Sequence, residues 1–79
     1  MRYTVLLVKD DEVDAYVAYV PVLGVVTQGV SLEHALAMAK EASELTIEDL
    51  VARDEELLAE GPDAFIGSIE VAVPALAPA

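Results

Sequence analysis

The hydrophobic period of this chain changes once, at Ser31, and that switch limits the folds open to it. Before Ser31 the apolar residues alternate with polar ones or form short β-branched blocks. After it they return every three or four residues, as on one face of a helix. Residues 2–9 carry Tyr3, Val5 and Leu7 on one side and Thr4, Leu6 and Val8 on the other, and they end in a charged turn at Asp10, Asp11 and Glu12. Residues 13–20 (VDAYVAYV) are rich in β-branched and aromatic types, which suit strands. Pro21 cannot donate to a ladder and closes this block, Gly24 supplies turn freedom, and residues 25–30 (VVTQGV) form a third block. Three strand blocks with short connections predict an antiparallel meander.

Ser31 is a good N-cap, and Glu33 in the first turn suits the positive end of a helix dipole. Leu32, Ala35, Leu36, Ala39 and Ala42 follow at helical spacing, and the phase continues roughly through Ile47, Leu50, Val51, Leu57 and Leu58. The small residues Ala35, Ala39 and Ala42 would let the helix come close to a sheet. Asp49 and Arg53 form an i,i+4 pair. One helix over residues 32–59 would be about 42 Å long at ~1.5 Å per residue, which exceeds the width expected of so small a domain. A kink at residues 43–46, with Thr46 capping a second segment, is therefore the alternative. Gly61 and Pro62 are expected to stop the helix, and residues 65–73 (FIGSIEVAV) to form a fourth strand with Phe65, Ile69, Val71 and Val73 on one face. The fold class expected is α+β: a three-stranded antiparallel meander, one long or kinked helix and a fourth strand, in the order β-β-β-α-β. It forms a single domain over residues 1–79 whose tail, residues 73–79, is frayed.

Composition narrows the functions. With 15 Asp and Glu against 4 Lys and Arg the formal net charge is -11. Direct nucleic-acid binding is excluded, because phosphate contacts need clustered cations. An anionic membrane surface would repel the chain for the same reason. There is no cysteine, hence no disulfide, thiolate metal site or cysteine nucleophile. No apolar run can span a bilayer, and the opening MRYTVLLVKDD lacks the features of a secretory signal, so a cytoplasmic protein is expected. Apolar residues make up 56% of the chain, which argues against disorder. A domain this small buries only ~60–65% of the surface its unfolded chain exposes. Some apolar residues must then stay outside or meet another subunit, and a homo-oligomer, dimer or tetramer, is expected.

Nothing in the sequence forms a catalytic constellation, and no cofactor is implied. Asp10, Asp11, Glu12 and Asp14 could hold Mg²⁺ or Mn²⁺ if they converged, but adjacent residues on a turn point in different directions, and a solvated hairpin tip is the better reading. His34, the single histidine, lies three residues from Ser31; a nucleophile pair is conceivable, but Ser31 is better explained as a cap. Gly24 and Gly29 lack the Gly-Lys-Ser/Thr sequel of a phosphate loop. Thr27 and Gln28 mark a solvent-facing or edge position. Tyr16 and Tyr19 fall on opposite faces of one strand, so at least one is exposed and available as an interface anchor. What is left is an acidic, apolar α+β domain suited to binding another protein, with a field that steers basic partners.

The stretch YVAYVPVLGVVTQGVSLEHALAMAKEA, residues 16–42, resembles the HicB-type antitoxin family. That family's pattern has an aromatic strand, a Pro-x-Leu-Pro-Gly turn, a Thr-x-Gly strand end and a Glu-Ala-rich helix. Tyr16, Pro21, Leu23, Gly24, Thr27, Gln28, Gly29, Glu33, Ala35 and Ala39 match it in order. The turn lacks the second Pro and is one residue shorter, and His34 stands where the family often has a second Glu. The resemblance implies a partial ribonuclease-H-like β-β-β-α-β core without nuclease activity. It also implies a type II toxin-antitoxin role, in which the domain covers the active face of a small, basic, RNA-cleaving HicA-like toxin. Many members carry a C-terminal DNA-binding segment that this sequence does not show, so operator binding is not implied. Charge, and not a family motif, selects the partner-binding residues: Asp10, Asp11 and Asp14 at the turn, Tyr16 beside them, and Glu41, Glu44 and Glu48 on the helix. Two other readings stand beside this one. The chain could be a stand-alone structural or small-ligand-binding homo-oligomer that pairs strand edges at residues 27–30 or 65–73. It could also be a metal-dependent hydrolase using Asp10, Asp14 and Glu33.

Overall fold

The structure, a computed structural model, describes residues 1–75. Three strands, β1 (Leu6–Asp10), β2 (Ala15–Val20) and β3 (Val25–Gly29), precede one helix, α1 (Leu32–Ala52). β2 is central and antiparallel to both neighbours. The meander and the helix are thus as expected, on shorter spans. Pairing starts at Leu6 opposite Tyr19, and because β2 stops at Val20, ahead of Pro21, residues 2–4 have no rung to join. Across residues 21–24 the Gly24 N–H donates to the Pro21 carbonyl at 3.2 Å, and Gly24 takes φ +66°, a conformation that costs other residues roughly 1–2 kcal/mol.

Register divides the sheet into two faces. Leu7, Ala18 and Thr27 line up on one, followed by Lys9, Tyr16 and Gly29 in the next rung of the same face. Ala18, Val20 and Val25 on this face meet Ala35 and Ala39 of α1 to form the buried core, with Tyr3, Val5, Leu7 and Tyr16 packed around it. The opposite face has Leu6, Tyr19 and Val26 in register, all exposed.

Ser31 caps α1 as expected: its backbone is extended and its Oγ accepts from the His34 N–H at 3.0 Å. Ala35, Ala39 and Ser43, at i, i+4 and i+8, are the buried positions of the helix. Gly29 explains how α1 comes so close to the sheet. A Cβ there would lie 2.7 Å from both the Ala35 Cα and the His34 carbonyl carbon, so only hydrogen fits.

The helix is single, not kinked. Thr46 caps no second segment; its hydroxyl donates to the Ala42 carbonyl at 3.0 Å, inside an unbroken ladder. It also ends earlier than Gly61 and Pro62. Asp54 adopts φ +52°, its N–H donates to the Val51 carbonyl at 3.1 Å, and the Glu55 N–H donates to the Leu50 carbonyl at 2.9 Å. These bonds are a Schellman motif in which aspartate takes the left-handed place usually given to glycine. Leu57 and Leu58 kept the helical phase in the sequence but lie beyond this stop. The chain there turns back to the start of β1. The Tyr3 hydroxyl donates to the Leu58 carbonyl at 2.6 Å, and the Glu60 carboxylate accepts from the Thr4 N–H at 2.7 Å and the Thr4 hydroxyl at 2.8 Å.

Residues 65–73 do not form the expected fourth strand within the sheet. A strand is made by its ladder, and past the Glu60 anchor residues 64–67 line a pocket with Thr4, Leu6, Pro21 and Val22 without pairing with β1. The molecule is accordingly long, 55 × 28 × 21 Å, with a radius of gyration of 16.3 Å where a compact chain of this length has about 12 Å. Of the tail expected to fray, residues 76–79 lie outside the described residues.

Two substitutions test these local arguments by denaturant unfolding. Gly29→Ala is expected to destabilise the fold by about 1–3 kcal/mol, since the added methyl meets helix backbone that has no rotamer to yield. Asp54→Gly is expected to stabilise it by about 1 kcal/mol, because it relieves the left-handed strain and removes a carboxylate from the negative end of α1.

Candidate functional site

The residues selected for partner binding fall in two places. Asp10, Asp11 and Asp14 sit at the β1–β2 tip. Glu41, Glu44 and Glu48 are exposed on α1, opposite the Ala35, Ala39 and Ser43 side, where helical geometry gathers them into one ridge. Only Val30 and Ser31 separate β3 from α1. The helix therefore begins at the tip's end of the sheet, and the ridge runs from there along its outer side.

The tip is organised more by its own bonds than by convergence on a ligand. Asp10 Oδ1 accepts from the Glu12 N–H at 3.0 Å, an Asx turn that shapes the loop. Asp14, at φ +48°, accepts from Lys9 Nζ at 2.8 Å. The same ammonium lies 5.1 Å from the Tyr16 ring centroid. The hydrogen bond from Lys9 and its charge hold the Asp14 carboxyl below its ordinary range, and the bond to Asp14 raises Lys9 despite some desolvation. Tyr16 is half-buried, packed against the core and paired across the strands with Gly29, so it supports the tip from the helix side. The exposed tyrosine is Tyr19, on the opposite face.

His34 and Ser31 are not a nucleophile pair. The Ser31 oxygen is engaged with the backbone N–H of His34, while the ring Nδ1 accepts from the Val30 N–H at 3.0 Å. The histidine thus serves as a second capping group that joins the end of β3 to the helix. Among the described residues no three His, Asp or Glu side chains are arranged to hold a metal ion, so Asp10, Asp14 and Glu33 do not form the centre that a hydrolase would need. Thr27 lies on the helix-facing side of β3, an edge strand, and Gln28 is exposed.

One feature escapes sequence reasoning. Because α1 sits over β2 and β3, a groove of about 460 Å³ is left between α1 and the residues that lead into β1, lined by Tyr3, Val5, Leu36, Ala39 and Ile47, with Lys40 and Glu44 among its polar residues. The small residues at 35 and 39 indicate a close approach, but no residue pattern tells which strands the helix will cover.

The Lys9–Asp14 pair predicts a definite pH response. The Asp14 carboxyl ionises more readily folded than unfolded, so the pair contributes above the ordinary carboxyl range and is lost as pH falls through the lowered folded value. By NMR titration the Asp14 side chain should show a midpoint below the ordinary aspartate value, and Lys9→Met should return it toward that value.

No helix among the described residues is long and apolar enough to cross a membrane. No protein-family model matches the chain, and no curated protein matches it.

Proposed function

We propose that this chain is a non-enzymatic, HicB-like binding domain of a type II toxin-antitoxin system, acting in the cytoplasm. Its partner is a small, basic, RNA-cleaving HicA-like toxin, and the domain neutralises it by covering its active face. The observation that carries this reading is the ridge of Glu41, Glu44 and Glu48 on the solvent side of α1, together with the carboxylates at the β1–β2 tip. Carboxylates displayed in this way can occupy the place of RNA phosphates on a cationic surface, and a net charge of -11 steers that surface toward them. The matching segment also folds in a manner that makes sense of its residues: Gly24 takes the left-handed turn position, and Gly29 admits the helix backbone.

The test is co-expression with a small basic protein encoded beside this chain's gene. The neighbour alone should arrest growth, and this chain should rescue growth and co-purify with it. Glu41→Lys, Glu44→Lys and Glu48→Lys combined should weaken the complex roughly tenfold or more, mainly through slower association, and the wild-type complex should weaken as salt rises from about 50 to about 500 mM. A neighbour that never co-purifies and whose toxicity is never relieved would refute the reading.

Self-association is a second reading, supported by a separate observation. The accessible surface is 6520 Å², against roughly 4600 Å² for a compact monomer of this mass. The excess of roughly 1900 Å² is more than the ~800 Å² that each partner buries in a standard interface. Much of it is apolar: Leu6, Val26 and the side chains of residues 65–73 are all exposed. On this reading the β-β-β-α-β order is completed by assembly.

A further inference from the structure

We infer that residues 65–73 are an exchanged strand: each copy lays this segment along the β1 edge of a second copy, where its apolar side chains close the groove between α1 and residues 1–5, which lead into β1. The inference deepens the self-association reading by naming the segment and the edge.

The composition of the segment is that of a strand. Phe65, Ile69, Val71 and Val73 fall on one side, with Ser68 and Glu70 on the other. In its own chain this side has no cover: Phe65 is 89% exposed and Ile69 86%. A strand of this kind becomes stable only when its backbone groups find a ladder and its apolar side finds a surface. Within its own chain it passes Leu6 of β1 without forming a ladder with it. The Glu60 carboxylate clamps Thr4, two residues ahead of that strand, and Phe65, Ile66 and Gly67 then lie with Leu6, Pro21 and Val22 at that end of the sheet.

The receiving site is set by topology. β1 and β3 are the two edges of the sheet. β3 lies beneath α1, with Gly29 against the helix backbone. β1 has an open edge, and beside residues 1–5 that lead into it lies an apolar groove lined by Tyr3, Val5, Leu36 and Ile47. A strand added outside β1 and continued past residues 1–5 extends the sheet beneath that groove. Its alternation then sends Ile69, Val71 and Val73 toward α1 and Ser68 and Glu70 to the opposite side. A two-fold pair makes the exchange twice, which is the self-complementary geometry of a dimer. The surface in excess of a compact chain matches the scale of such an obligate interface.

Sedimentation and isotope-filtered NMR on the full chain test this. Wild type at micromolar concentration should sediment as two copies of the 8.4 kDa chain, with cross-copy contacts between residues 65–73 and β1 in a mixture of labelled and unlabelled protein. Ile69→Asp with Val71→Asp should weaken the dimer at least 100-fold while leaving the helical circular dichroism unchanged, because both side chains are exposed within one chain. Self-association should strengthen with added salt, since two chains of like charge repel. A monomeric wild type would overturn both this inference and self-association. A dimer indifferent to the double substitution would overturn only the exchange, as would contacts between residues 65–73 and β1 confined to one copy.

Discussion

The distance between α1 and the sheet controls the rest of the molecule. It is set by hydrogen where a methyl would not fit, at Gly29, and by methyls where larger chains would not fit, at Ala18, Ala35 and Ala39. Such close packing satisfies the van der Waals demands of an interior with few atoms. The consequence is a thin core. Among the described residues no large side chain is fully buried, and most of the bulky ones stand at the core's margin or beyond it. A helix of 21 residues, about 31 Å long, also outruns strands of five or six residues, about 17–20 Å. Its later turns therefore leave Leu45 and Val51 exposed.

This geometry shows what was legible in the sequence and what was not. The change of period at Ser31 is a local signal and located the helix start to the residue, because the cap needs only Ser31 and the His34 N–H. The three strand blocks were equally local. The structure departs from the sequence pattern where the outcome depends on contacts between distant residues or on an uncommon conformation. Leu57 and Leu58 continued the helical pattern, yet Asp54 ended the helix by adopting a left-handed conformation that composition assigns to Gly61. Residues 65–73 have the composition of a strand, but strand formation requires an edge to pair with, and after the Glu60–Thr4 clamp the segment meets Leu6 without pairing.

The proposed binding surface divides along the same line. Exposure of Glu41, Glu44 and Glu48 follows from helical phase alone, once Ala35 and Ala39 are taken as the buried side. The fate of Tyr16 does not, because it depends on which face of β2 the helix chooses. That choice put Tyr16 against the core and left Tyr19 on the open face. The groove beside β1 is less legible still, since it records where the helix is not.

Charge and greasiness, which compete in the composition, occupy separate parts of the structure. Glu41 and Glu48 of the helix ridge stand clear of the groove and Glu44 at its rim, whereas the groove, residues 65–73 and the open sheet face carry the apolar side chains. The separation allows two associations governed by opposite physics. A cationic partner is drawn by the field and held less firmly as salt screens it. A second copy is repelled by the same field and is held by burial of apolar surface, which salt leaves intact. A net charge of -11 then also protects a chain with this much exposed apolar surface, since random encounters between copies meet repulsion before they meet the surfaces that fit. An association that must overcome that barrier has to bury a large, well-matched area, and of the apolar features on this molecule the extended segment and the open groove beside β1 have complementary forms.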